Sequence, residues 1–229
     1  MGEREGTARR GRRPRHVLAD VVAAAVALAD ADGLDAVSMR TVAARLGTGA
    51  MSLYSYVPDK EALVAAMVEH VSAEQRLPDA ASGDWRADLT VLAREQRALL
   101  HRHPWVIEAL THRQPLGPNA LAALEFAAAA LAPTGQSPAT RLETFALLTG
   151  FVVNVVRGEL ADTAAAPVPP EDAARHRAEL LGLLATGRYP NVAAALAQAG
   201  AGAAGRDLGE RFERLLARML DGLGGVPGG

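Results

Sequence analysis

Apolar residues in this chain recur every third or fourth position, and no stretch alternates convincingly between apolar and polar. Over Val17 to Ala31, Leu18, Val21, Val22, Ala25, Val26 and Leu28 fall on one broad face, and Gly33 stands where a helix ends in a left-handed residue. Ser38 predicts the N-cap of a short second helix reaching Leu46, which Gly47 breaks. A third short helix covers about Ala50 to Tyr56, with Pro58 closing it, and Asp59 opens a fourth through Leu63, Met67, His70 and Val71. Pro78, Ser82 and Gly83 mark a boundary. Beyond it the pattern predicts helices over 85–102, 104–111, 119–132, 138–161, 171–184, 192–199 and 207–223. Ser137 followed by Pro138 is a good start signal, a cap with proline at the first helical position. The fold expected is all-α, a small N-terminal module of short helices joined to a larger C-terminal helical bundle.

Composition sharpens this picture. The chain has 229 residues, enough to bury a real core, and is 49% hydrophobic but only 4% aromatic. Much of the apolar content is Ala and Leu, which lose little side-chain entropy in helices. No cysteine is present, so neither a disulfide framework nor a thiolate metal site is available. Residues 1–16 lack the apolar core of a signal peptide, and no stretch offers ~18 charge-free apolar residues for a membrane span. A soluble, cytoplasmic protein is expected.

The net charge of −2 does not advertise a nucleic-acid ligand, but its distribution does. Arg4, Arg9, Arg10, Arg12, Arg13 and Arg15 stand against Glu3 and Glu5, a local charge of +4 in a Gly-punctuated segment. Residues 1–14 read as a disordered basic arm, of the kind that often binds nucleic acid and as often is simply solvated. Residues 224–229 read as a flexible tail.

Three short helices ahead of Pro58 invite comparison with a helix-turn-helix. That motif needs a small residue where its two helices cross and a turn, four residues on, that favours glycine. Ala43 and Gly47 have this spacing, with Val42, Leu46 and Leu53 placed to be buried between the helices. The stretch Ser38-Met-Arg-Thr-Val-Ala-Ala-Arg-Leu-Gly47, followed by Ser52-Leu-Tyr-Ser-Tyr-Val-Pro-Asp-Lys-Glu-Ala-Leu63, resembles the TetR family of tetracycline-repressor-like regulators. The resemblance is strong over 15–72 and weaker in Leu99 to Trp105, Tyr189-Pro190 and the closing helix from Phe212 to Leu223. It implies a helix-turn-helix DNA-binding domain over 15–75 and an effector-binding and dimerisation domain over 80–223.

What the resemblance implies about residues is specific. The third helix would enter the major groove, presenting Gly49, Ala50, Met51, Ser52, Ser55 and Tyr56. Arg40 would meet a base edge or a phosphate, and Tyr54 would offer its hydroxyl to a phosphate. Arg15 and Ser38 complete the set. Lys60, the single lysine beside 23 arginines, sits at a helix N-terminus, where dipole and free N–H groups already favour phosphate. Met51 or Ala50 offers an apolar contact to a thymine methyl, but none of the groove-facing side chains offers a bidentate pair. Base discrimination is therefore expected to lean on Arg40, on DNA shape and on the arginine arm.

In the C-terminal domain, Phe145, Leu148 and Val152 on one long helix and Phe212, Leu215, Leu216 and Met219 on the last are the expected dimer interface. A homodimer would set two recognition helices one turn of DNA apart, ~34 Å, to read a palindrome. His101, Trp105, His112, Phe126, Phe151, Asn154 and Arg157 are the expected effector contacts, polar groups beside aromatics in the bundle. The alternative open for Arg157 is pairing with Glu143 or Glu159, or reaching the surface. No Gly-rich phosphate loop, nucleophile elbow or clustered metal ligands occur, so neither an enzyme nor a cofactor or metal is expected. The competing reading is a helical small-molecule-binding or interaction protein without specific DNA binding.

Overall fold

The computed structural model describes residues 17–110, 117–165, 169–200 and 207–224, and every regular element among them is helical. The basic arm over 1–14, Arg15, His112 and, of the tail expected over 224–229, residues 225–229 lie outside the described residues, while Gly224 closes the last helix. The chain divides into two compact units. The first runs to Arg76 and takes in Arg102–Ala122; the second comprises Leu77–His101 and the chain from Ala123 onward.

The first unit contains α1 (Leu18–Asp32), α2 (Met39–Arg45), α3 (Ala50–Leu53), α4 (Lys60–Ser72) and the short α6 (Val106–Ala109). Its core is Val21, Val22, Ala25, Leu34, Val37, Val42, Leu53, Leu63, Met67 and Val71. These are the positions that the three-to-four periodicity points inward. α1 ends as expected at Gly33, φ 82°, whose N–H bonds the Ala29 carbonyl. The third helix is shorter than its pattern predicts. After Leu53 it closes as a tight turn, in which the Tyr56 and Val57 N–H groups both bond the Leu53 carbonyl.

A polar cluster fastens α1 to the segment over 102–105. His103, 7% exposed, sets Nδ1 2.7 Å from Asp30 Oδ1 and Nε2 3.2 Å from Glu74. The Trp105 indole N–H donates to the same Asp30 oxygen at 2.7 Å, and Arg102 Nε donates to Glu74 at 2.9 Å. Burial alone pushes the Glu74 carboxyl up, but hydrogen bonds from His103 and Arg102, with their positive charge, outweigh it and hold the group below the usual carboxylate range.

The second unit is built on α5 (Trp85–Arg102), α7 (Pro118–Ala130), α8 (Pro138–Ala164), α9 (Pro170–Ala185), α10 (Pro190–Gly200) and α11 (Leu208–Gly224). Its core is Leu89, Leu92, Ala93, Ala127, Leu131, Leu148, Val152, Val156, Phe212 and Leu216. α8 has Ser137 as N-cap and Pro138 at its first position, and it runs three residues past the predicted end, to Ala164. By length and composition alone it is the one helix among the described residues that would cross a membrane. Glu159 argues for a packed bundle helix instead. It is 1% exposed and paired with Arg97 and His101 of α5, a charged lock unsuited to lipid.

Candidate nucleic-acid interface

The geometry of α2 and α3 follows from a few local choices. Ser38 and Thr41 form a reciprocal cap: the Thr41 N–H donates to Ser38 Oγ at 3.1 Å, and the Ser38 N–H donates to Thr41 Oγ1 at 2.9 Å. Thr41 Oγ1 also donates to the Ala36 carbonyl at 2.8 Å, tying the helix start to the preceding turn. Ala43, 2% exposed, leaves room for the crossing, and Gly47 at φ 65° makes the left-handed turn that a Cβ would strain. Val42 and Leu53 are fully buried between the helices, while Leu46 is only half-buried. The expected helix-turn-helix packing is therefore present, with its apolar side closed.

Its other side is open. Arg40, Gly49, Met51, Ser52, Tyr54, Ser55 and Lys60 are all exposed, Ala50 and Tyr56 half-buried. Ser38 is half-buried and occupied by its cap, which makes it a positioning residue on this face. Lys60 is the first residue of α4, next to Asp59, whose carboxylate already accepts the Ala62 N–H at 2.7 Å. The amides at this helix start are therefore not all free, and the exposed Lys60 ammonium is the cationic group beside them.

The serine hydroxyls are already engaged. Ser52 Oγ donates to the Gly49 carbonyl at 2.6 Å and lies 2.8 Å from Thr48 Oγ1. Ser55 Oγ donates to the Ser52 carbonyl at 2.7 Å. Each hydroxyl has one proton, so both serines face outward as acceptors.

α4 is also held at its far end. Glu69 reaches the start of α7, accepting the Asn119 N–H at 2.7 Å and the Ala120 N–H at 3.4 Å, while the Asn119 side-chain amide donates to the Glu69 carbonyl at 3.2 Å. Gly117 makes room for it, because a Cβ there would overlap the Glu69 side chain and force it to turn away. Periodicity gave no sign of this clasp, which joins residues 50 positions apart.

The effector-side and dimer candidates are distributed differently from expectation. Trp105 belongs to the first unit, with its N–H spent on Asp30, while Phe126 is core of the second. His101 is 2.7 Å from Glu159, with which Arg97 also pairs at 3.0 Å. Arg157 is exposed, and the Glu159 carboxylate is taken by those two groups rather than by Arg157. On α8 the helical register exchanges two of the sets. Leu148 and Val152, read as interface, have zero exposure within one chain, whereas Asn154 and Arg157, read as pocket, lie on the exposed stripe with Leu147, Gly150 and Gly158. Phe212 and Leu216 are likewise 1% exposed core, while Phe145, Leu215 and Met219 are half-buried. Half-buried Phe151 packs against Phe212 with ring centroids 6.1 Å apart, and Arg97 covers the Phe212 ring.

Among the buried polar groups of the second unit, Gln96 stands outside the expected set and lacks a full set of partners. Gln96, 7% exposed, donates through Nε2 to Thr149 Oγ1 at 3.1 Å, but its carbonyl oxygen is buried with no hydrogen-bond partner. Its place in an otherwise apolar i, i+4 series was the available signal.

Comparison with known proteins agrees with this geometry. Residues 21–67 match the bacterial regulatory proteins of the tetR family, and residues 77–226 match the tetracyclin repressor-like C-terminal domain. The chain is 40% identical over 219 residues to the HTH-type transcriptional repressor DrrR1 of Streptomyces coeruleorubidus, covering 93% of this chain and 79% of that one. It is 39% identical over 139 residues to an HTH-type transcriptional regulator of Saccharopolyspora erythraea, covering 61% and 59%. The structure of the Streptomyces coelicolor TetR family protein ActR in complex with actinorhodin superposes with a TM-score of 0.73 at 27% identity, covering 93% of this chain and 96% of that one. With both domains matched in order along the chain, and with an open, correctly turned helix-turn-helix ahead of a helical bundle, this protein belongs to the TetR family of transcriptional regulators.

Proposed function

We propose that the protein is a cytoplasmic homodimeric repressor that holds a palindromic operator and is released from it by a small molecule. The observation that carries this reading is the open face of α2, α3 and the start of α4, where Arg40, Met51, Tyr54 and Lys60 stand together exposed above a closed core. Arg40 reads a base edge, Tyr54 and Lys60 grip phosphates, and Gly49, Ala50, Ser52, Ser55 and Tyr56 line the approach. The repressor DrrR1 and the ActR–actinorhodin complex support repression and small-molecule control, respectively.

A second copy completes the fold in this reading. None of the described residues of α9 or α10 is buried, and Leu180, Leu181, Leu183, Val192 and Leu196 are exposed. Helices of 16 and 11 residues are marginal in water by themselves, so the ordering cost calls for a covering partner. The outward stripe of α8, with Leu147, Gly150, Asn154 and Gly158, has the small residues that let two helices approach closely. Phe145, Leu215 and Met219 flank it.

The effector acts by population shift, binding better to a conformation in which α4 has moved. The unpartnered Gln96 oxygen is the acceptor that an effector N–H or O–H would satisfy. α7 begins in the first unit and continues into the second, so a ligand-driven shift of α7 would reach α4 through Glu69.

The test is fluorescence anisotropy on DNA from upstream of the protein's own gene, against scrambled DNA, across a salt series. Saturable binding to the native fragment alone, two protomers per site, is expected. Equal, salt-sensitive binding to both fragments would refute specific recognition and favour a bundle without a DNA target. Arg40→Ala is expected to weaken the native fragment more than the scrambled one.

A further inference from the structure

We infer that α3 selects A·T pairs in the operator half-site, with Met51 packing on the thymine 5-methyl group and the Ser52 and Ser55 oxygens accepting from the adenine amino group. The inference rests on the DNA-binding reading above and assigns the chemistry of its groove-facing surface.

Three observations carry it. Met51 is 80% exposed, the most open large apolar side chain among the described residues, and it stands in the middle of a four-residue helix whose neighbour Leu53 is fully buried. An isolated methionine left in water on an otherwise polar face gains nothing until an apolar group covers it. In the major groove the one apolar group on a base edge is the thymine C5-methyl.

The second observation is the spent hydroxyl protons. Ser52 Oγ donates to Gly49 and Ser55 Oγ donates to Ser52, each to a main-chain carbonyl of its own turn. Outward they offer lone pairs, two on Ser55 Oγ and one on Ser52 Oγ, whose other lone pair accepts from Thr48 Oγ1 at 2.8 Å. Of the purines, adenine shows an N6 amino donor in the major groove, whereas guanine shows two acceptors, N7 and O6, which would face these oxygens without a proton between them.

The third is what α3 lacks. Among Ala50, Met51, Ser52 and Leu53 there is no amide or guanidinium to pair bidentately with guanine or adenine. Guanine contacts therefore fall to Arg40 on α2, outside α3. An acceptor oxygen suits cytosine N4 as well as adenine N6, so the thymine methyl is what selects A·T, and the adenine of that pair then supplies the amino donor.

The test uses the full-length protein and the footprinted fragment from upstream of its own gene, synthesised with dT or with dU throughout the protected half-sites. Removing the methyl groups leaves pairing and the adenine amino group intact. Binding to the dU fragment is expected to fall about fourfold per methyl contact, the equivalent of losing one buried methyl group. Met51→Ala should abolish this dT-over-dU preference, and Met51→Leu should keep it. Retained binding to scrambled DNA at low salt and unchanged circular dichroism show that the variants are folded. Equal affinity of the wild-type protein for dT and dU fragments overturns the inference while leaving specific DNA binding intact. A dT-over-dU preference that persists in Met51→Ala overturns the assignment to Met51. No preference of the wild-type protein for the native over the scrambled fragment overturns both this inference and the reading on which it rests.

Discussion

Gly117→Ala should destabilise the protein, and the sign of its effect should reverse once Glu69 is removed. Gly117 has no positive φ, so its backbone accepts alanine without strain. At such a site the exchange alone would stabilise by about 0.4–1 kcal/mol, by restricting the unfolded chain. The opposing effect is steric: the new Cβ would meet not only the Glu69 carboxylate but also its Cγ, at 2.8 Å, so the side chain must turn away. It would then give up the Asn119 N–H at 2.7 Å and the Ala120 N–H at 3.4 Å. Losing an acidic cap at a helix start costs about 1–2 kcal/mol, so Gly117→Ala should destabilise by about 1 kcal/mol net. In a Glu69→Ala background the obstacle and the cap are both gone, and the same exchange should stabilise by about 0.5 kcal/mol. The coupling between the two sites is thus about 1.5 kcal/mol, well above the scatter expected for independent positions. Urea unfolding of the wild type, both single variants and the double variant measures it, with protein concentration held fixed because association would shift every midpoint. If Gly117→Ala changes stability by the same amount in both backgrounds, Glu69 does not cap α7.

Three further outcomes follow from the same geometry. Glu159→Ala removes a 1% exposed carboxylate and strands Arg97 and His101, which should cost about 3 kcal/mol, the lower end for a broken buried pair because neither partner is fully enclosed; thermal unfolding checks it, and a loss below about 1 kcal/mol would make the pair dispensable. Glu74 titrates lower in the folded protein than unfolded, so its contribution is present above its unfolded pKa and is lost as pH falls through the folded value; Glu74→Gln should therefore flatten the acid limb of stability against pH, and an unchanged limb would refute the role given to His103 and Arg102. Lys60→Ala should weaken native and scrambled DNA alike and lower the slope of log affinity on log salt by about 1 per protomer, whereas a selective loss on native DNA would make Lys60 a base reader instead.

What could be read from the sequence alone was local. Ser38, Ala43, Gly47 and Leu53 lie within 16 residues, and each does its work through neighbours three or four positions away, so their spacing carries the helix-turn-helix directly. The clasp of Glu69 on Asn119, the ties of Asp30 to His103 and Trp105, and the lock of Glu159 on Arg97 join residues 50 to 75 positions apart. Such pairs depend on where the backbone brings two helices together, and a repeat of three to four residues holds no record of that. α8 shows the same limit within one helix. It is apolar nearly all round from Thr144 to Val156, so periodicity marks it as buried without saying which side meets its own chain. Leu148 and Val152 are expected at an interface because they lie on that wide apolar stripe. Bulky side chains fill a core in which several helices converge, and that is where both lie, with zero exposure. The side left open carries Leu147 among Gly150, Asn154 and Gly158, residues small enough for another backbone to come close. On α8 the apolar pattern alone therefore does not tell the side packed against its own chain, with Leu148 and Val152, from the exposed side, with Leu147, Gly150 and Gly158.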